Sequence, residues 1–591
     1  MGCPSFQHGT SSACRDFASP ETIAILKPST QRDAEQPRPA LHRRKSKTTN
    51  TYNLLDQPWL TVADQNDNQT SLGIIDTFKQ AAELKGIEGD DVAQKFALHR
   101  LLIAIITRAY KDAPLDRTKW NSLYDNGPDD TLFDYLERYR DRFDLLDDKR
   151  PFFQTAVMRK PNGDGPDGLS RLILDLPNTD QVTSYRLGVT SISFAEAARW
   201  VVAAQAYDTS GNKPRMEGDN RSTGGNVNAS GTGWTGCFEG ILIHGDNLWH
   251  TLMLNTVGRT DTEPHDNEPY DIENDKPVWE LEDPEVVGGK KGYDFAKDGF
   301  HKERLHGPAT LMTWQARRIK LAHDGEKVTG VTLATGDRIN SCDASGIETM
   351  ARFRENLQKG TLYPVAPKPE LSLWRSFPTF LRIDKQNKPV DAPEDTGKKK
   401  KKPIPQTFRP MTIDWVKSCG KKIPVTIEGI GAIYCSTQSS KIEEFTDSKI
   451  NVQTGILLNE STDFKTELSE AMERLGKWVY FLKILCNDLA NASGLRIKTR
   501  DYSVAELNAK RAWSGLETEF DNWLIKQPDA ETASENLPEF IENARLLIYR
   551  MGLDLYSGSN SKTLIGRISP DGYVSASTAW SRFSYNLRKE Q

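Results

Sequence analysis

At 591 residues the chain exceeds what one hydrophobic core usually serves, so two or more domains are expected. A hydrophobic fraction of 37% with 13 Trp and 22 Phe can build such cores, and the absence of any run of 18 apolar residues excludes a membrane-spanning helix. A net charge of −5 excludes the basic surplus of a free-standing nucleic-acid binder but leaves room for a local basic groove.

Residues 1–48 are rich in Ser, Pro, Arg and Gln and lack an apolar signal core, so they read as a disordered tail on a cytoplasmic protein. Met1-Gly2-Cys3 makes no myristoylation site, because Phe6 stands where Ser or Thr is required. Phe96 to Ile106 is an apolar run of helical length with no Gly or Pro, which predicts a buried helix. Asp130 to Arg142 places Leu132, Phe133, Tyr135, Leu136 and Tyr139 at helical intervals, the pattern of an amphipathic helix. Ser193 to Ala206 reads as a helix capped by Ser193, with Glu196 completing a capping box. Gly224 to Asn255 then joins flexible backbone to a strongly apolar element, and loops of that kind can approach a phosphate backbone closely.

Between Cys237 and Val365 short β-rich runs alternate with turns, notably Ile319–Leu321 and Val328–Leu333 around Asp324-Gly325. The stretch at about 386–404, with Lys398 to Lys402 at its heart, reads as a solvated surface loop. Ile427 to Lys441 reads as a strand entering a tight polar turn that projects Gln438. From about Ser461 four long periodic segments follow: Phe464–Ala492, Val504–Ile525, Leu537–Leu555 and Val574–Leu587. Leu468, Met472, Leu475, Val479 and Leu482 supply a core stripe, and Gly494 stands at the expected stop. The fold class is therefore α+β: a large irregular mixed domain over 49–460, then a four-helix bundle over 461–591.

Catalytic patterns are missing. There is no His-Glu-x-x-His or Gly-x-Ser-x-Gly, and Ser557 to Thr563 fails as a phosphate loop because Ser561 replaces the glycine before Lys562. Seven cysteines without a Cys-x-x-Cys pair suit a reducing compartment and argue against a zinc ribbon. His244, His250 and His306 read as structural or surface residues. The acid-rich stretch 260–305 keeps a metal-dependent nuclease open as an alternative.

Four segments in fixed order carry more information than any one of them. They are Tyr52-Asn53-Leu54-Leu55-Asp56-Gln57-Pro58-Trp59; Arg142 to Leu146 running into Pro151-Phe152-Phe153-Gln154; Gly245 to Asn255; and Gly307-Pro308-Ala309 with Thr313-Trp314-Gln315-Ala316-Arg317-Arg318. Together they resemble the CasA family, the large subunit of the type I-E CRISPR Cascade complex, from about Tyr52 to the C-terminus.

The resemblance implies a non-catalytic protein without cofactor or metal. Its partners would be the guide CRISPR RNA, double-stranded target DNA, the Cascade backbone and small subunits, and a helicase-nuclease effector. It would recognise a protospacer-adjacent motif (PAM), start strand separation and R-loop formation, and recruit the nuclease. Thr437, Gln438 and Ser439 match the family's strand wedge, although an ordinary polar hairpin is the plainer reading of those residues. Ser210, Gly211, Asn212 and Lys213 match its minor-groove glycine loop, with Gly224, Gly225, Gly231 and Gly233 as rivals. Tyr185 and Arg186 match a loop meeting guide RNA and backbone subunit, unless Tyr185 belongs to the core. Lys368 is the candidate for the family's PAM lysine. In the bundle Lys477, Arg496, Lys498, Arg500, Lys510 and Arg511 match a path for the displaced strand, or else a solvated face. Some members carry a cysteine-rich insert after the Trp-Gln segment, where this chain has only Cys342, so no metal site is carried over. A purely structural ribonucleoprotein scaffold remains the second alternative.

Overall fold

The buried helix expected around Phe96–Ile106 runs over Val92–Ala109 in the computed structural model. Described residues are 51–111, 115–174, 188–219, 225–227, 231–258, 271–282, 305–368, 372–381, 405–435, 439–458, 462–495, 504–569 and 572–590, so the tail 1–48 and the Lys-rich loop lie outside them. Asp91 starts this helix by accepting the Gln94 amide at 2.6 Å. Nearly all of the helix is buried, including two arginines, and a buried cation needs an anion. Arg100 donates two bonds of 2.8 Å to Glu348, and Arg108 donates bonds of 2.9 and 2.8 Å to Glu280.

The amphipathic helix expected over Asp130–Arg142 closes sooner, at Asp130–Arg138, and a 3-10 turn over Arg140–Phe143 finishes it. Ser193 caps the next helix, Phe194–Tyr207, by accepting the Glu196 amide at 3.1 Å. The β-rich runs form an antiparallel pair, Arg317–His323 with Val328–Thr335. Their turn is held by the Asp324 carboxylate, which accepts the Glu326 and Lys327 amides at 2.9 and 2.8 Å.

A second antiparallel hairpin joins Pro424–Tyr434 to Ile442–Gln453, and Gly240–His244 adds a third strand on the first one's other edge. That third strand pairs only with residues 426–430, so residues 431–434 continue as a two-stranded ribbon.

The C-terminal helices span Thr462–Ala492, Val504–Leu524, Ala530–Ser557 and Ala576–Lys589. Leu468, Leu475, Val479 and Leu482 are buried as the stripe requires. Gly494 takes φ 87° just past the first of these helices, a conformation that side chains disfavour, and the Leu495 amide folds back to the Ala490 carbonyl at 3.1 Å. The third helix starts at Ala530 rather than Leu537, because Asp529 accepts the Thr532 amide and Pro538 is accommodated inside. Among the described residues no helix is long and apolar enough to cross a membrane.

Aromatic rings join the helices to the mixed portion. Trp374 and Phe377, on a 3-10 segment Leu373–Phe380, meet Phe520 at centroid distances of 5.4 and 5.6 Å, and the Arg375 guanidinium lies 3.7 Å above the Trp513 ring. Asp521 lies beside this seam, its carboxyl pushed up to about 6 by burial and then by the charge of Glu517. Its Oδ1 is buried with no hydrogen-bond partner among the described residues. An acid whose folded-state value is raised favours folding at low pH and loses that contribution as pH climbs through about 6. The melting temperature of Asp521→Asn should therefore gain on the wild type between about pH 4.5 and about pH 7.5, and parallel curves would remove this role.

Candidate nucleic-acid interface

Cys435 leaves the ribbon by donating its amide to the Lys441 carbonyl at 3.0 Å, and Ser439 donates to the Cys435 carbonyl at 3.2 Å. Ser439 takes φ 49°, a left-handed conformation unusual for a residue with a Cβ. Thr437 and Gln438 lie outside the described residues; Ser439 beside them is half-buried. Lys441 is exposed, and so are Glu443 and Glu444 on the returning strand. Two acids there disfavour binding of phosphate by charge at this end of the hairpin.

The loop after the Phe194–Tyr207 helix meets that turn. The Ser210 amide donates to the Ser439 carbonyl at 3.0 Å, and the Tyr434 hydroxyl donates to the Tyr207 carbonyl at 2.6 Å. The two segments nominated separately from the sequence, 210–213 and 437–439, are thereby neighbours. Within the loop Gly211 is half-buried and Asn212 exposed, whereas Ser210 and Lys213 are buried. Lys213 does not face outward as the sequence suggested. Its ammonium sits 2.7 Å from the Asp208 carboxylate, and burial lowers the lysine's proton affinity against the pull of that carboxylate.

Asp208 is shared with Arg317, which pairs with it through Nε. Burial raises the Asp208 carboxyl, and the two cations outweigh this to hold it below its usual value. The Arg317 guanidinium also donates to the carbonyls of Asp208, Thr209 and Gly231, at 3.1, 2.8 and 2.8 Å. Gln205 aligns the arginine's strand: its carbonyl oxygen accepts the Arg317 amide at 2.8 Å, and its amide donates to Gln315 and to the Arg317 carbonyl at 3.0 Å each. The contacts of Arg317 with Gln205, Asp208, Thr209 and Gly231 span 86 to 112 residues, too far for any local sequence pattern to show. The one sequence signal was the Trp-Gln-Ala-Arg-Arg run itself.

Gly233, one of the rival glycines, has a packing reason for lacking a side chain: a Cβ there would come within 2.3 Å of the Ala206 carbonyl oxygen. Lys368 is exposed and follows Pro367, whose ring covers Gly431 on the hairpin. Tyr185, Arg186, Arg496, Lys498 and Arg500 lie outside the described residues. Lys477 is exposed and pairs with Glu590 at 2.7 Å, while Lys510 and Arg511 are exposed on the helix whose Glu506 pairs with Lys483. These three cations lie on the helical portion, interleaved with acids, and away from the loop and hairpin in sequence.

The three histidines named from the sequence each have a partner within the protein. His244 pairs with the buried Glu428 at 2.6 Å, His250 stacks on Tyr124 at 4.1 Å, and His306 lies 3.4 Å from Asp271. Of the acids near 260–305, Asp275 accepts the Ala309 and Thr310 amides and Glu280 neutralises Arg108. Among the described residues no group of three or more His, Cys, Asp and Glu could hold a metal ion.

Comparison with known proteins gives a consistent set. A family model described as CRISPR-associated protein Cse1 matches residues 53–551. A CasA/Cse1 protein of Thermus thermophilus is 29% identical over 338 residues, which span 56% of this chain and 60% of that relative. The sequence match thus covers less than two thirds of the relative's length. The crystal structure of Thermobifida fusca Cse1 superposes with a TM-score of 0.76 at 31% identity, covering 91% of this chain and 98% of that one. A chain of a CRISPR RNA-guided surveillance complex shares the fold at a TM-score of 0.61 and 15% identity, with 91% and 99% covered.

Proposed function

The chain belongs to the Cse1 (CasA) family of CRISPR-associated proteins, and we propose that in its RNA-guided surveillance complex it reads the protospacer-adjacent motif and opens the duplex without catalysing cleavage. Guide pairing would then supply sequence specificity, as in RNA-guided effectors generally. The observation that carries this reading is the bond between Ser210 and Ser439, because it seats a small-residue loop against the end of the hairpin that leads to Gln438. Gly211 and Asn212 are the loop's outward residues, suited to the shallow, degenerate pattern of a minor groove. Gln438 would part the strands, and exposed Lys368 would meet the flanking backbone from beside the ribbon. The guide RNA, target DNA, backbone and small subunits, and a helicase-nuclease are the partners this reading requires. The likeness to a chain of a CRISPR RNA-guided surveillance complex supports that setting.

The test is binding of the reconstituted guide-RNA complex to target duplexes bearing a library of adjacent motifs. Motif preference should vanish when this chain is omitted, and Gln438→Ala should weaken binding of the preferred duplex by about tenfold, the value of one good contact at the DNA. Equal, motif-independent binding by all three preparations would reduce the protein to a scaffold.

A further inference from the structure

The Trp314-Gln315-Ala316-Arg317-Arg318 run has no part in the reading above, yet Arg317 reaches the loop and the turn's neighbourhood directly. We infer that Arg317 is the positioning residue of the motif-reading loop: its guanidinium ties the carbonyls of Asp208, Thr209 and Gly231 into one fixed shape. This inference rests on the proposed reading of that loop.

The geometry is specific to arginine. The planar fork holds three separate donor positions at once: Nε on the Asp208 carboxylate, Nη1 on the Ala316 carbonyl and Nη2 among the carbonyls of Asp208, Thr209 and Gly231, and a single ammonium at any one of these positions gives up the other two. The side chain is 1% exposed, so its donors face protein acceptors and are not offered to phosphate. Lys213 brings a second cation to Asp208 from the far end of the loop. The result closes a ring: helix end, loop and the segment at Gly231 all hang on one cation, and Ser210 transmits that placement to the hairpin turn. A minor-groove contact made by backbone and a short amide depends on ångström-scale placement, so loss of the fork should damage discrimination before it damages stability.

The experiment uses the reconstituted complex with Arg317→Lys, which keeps the charge opposite Asp208. The readout is the ratio of affinities for target duplexes with and without the preferred motif, set beside affinity for single-stranded target DNA complementary to the guide. Arg317→Lys should lower the ratio by about tenfold while single-stranded binding stays as in the wild type, since that binding needs no motif reading. Gly231→Ala is the milder companion. A Cβ at φ 85° meets no atom within 4 Å, so the chain should fold while the third carbonyl shifts, and the ratio should fall a few-fold. An unchanged ratio in Arg317→Lys, or in Gly231→Ala where the lysine variant does not assemble, overturns the positioning role and leaves the motif reading standing. A parallel loss of both binding modes reduces Arg317 to a stability residue and overturns it too. A wild-type complex without motif preference removes the reading, and the inference with it.

Discussion

Replacing Glu348 by alanine should lower the unfolding free energy by about 3–5 kcal/mol, the usual penalty for leaving one half of a buried ion pair alone. Glu348 is 1% exposed and accepts four donors: both terminal nitrogens of Arg100, the Trp234 indole at 2.7 Å and the Met350 amide at 3.0 Å. The alanine leaves the guanidinium inside the central helix with no anion, and the indole and amide without an acceptor. The double variant Arg100→Met with Glu348→Leu removes the stranded charge and should recover most of the loss, because apolar groups of similar volume often replace a buried pair at little cost. Denaturant unfolding of wild type, single and double variants decides it. A single-variant loss below about 1 kcal/mol would mean that water reaches Arg100, contrary to its burial.

Trp374→Ala should cost a similar amount, about 3–5 kcal/mol, through the cavity left by a wholly buried indole. Its place gives the loss a particular form. Trp374 packs on Phe520 and lies 6.0 Å from the Trp513 ring, so it is shared between the mixed portion and the C-terminal helices. The variant should unfold in two steps where the wild type unfolds in one, with the helices after residue 461 released first and cut earlier by protease. A single cooperative transition in the variant would argue that the two portions share one folding unit and that a boundary near residue 460 has no energetic meaning.

Much of this fold is legible because the informative patterns are local. The run Phe96–Ile106, the Asp324-Gly325 hairpin, the strand through Ile427 and the four C-terminal helices each declare themselves within about twenty residues, by apolar period, cap or turn chemistry. Errors arise where a local rule meets a tertiary one. The apolar period suggested a segment starting at Leu537, yet Asp529 caps the helix well before. Lys213 was placed in the minor-groove loop by the resemblance, but the Asp208 carboxylate holds it inside. Motif spacing placed the loop and the turn on separate stretches of chain; only folding brings Ser210 to Ser439, and no periodicity encodes that contact.

The partial reach of the third strand also sets how force is carried. Beyond residue 430 the hairpin is a strip about 13 Å long before the turn, four residues at strand rise, anchored in the sheet at one end. A strip held only there would swing at its free end and waste any load in bending. This one is propped near the far end by Tyr434 on Tyr207 and by Ser439 on Ser210. The far end of the strip is therefore braced against the C-terminal end of the Phe194–Tyr207 helix and the loop that follows it, and bending it requires breaking these two bonds.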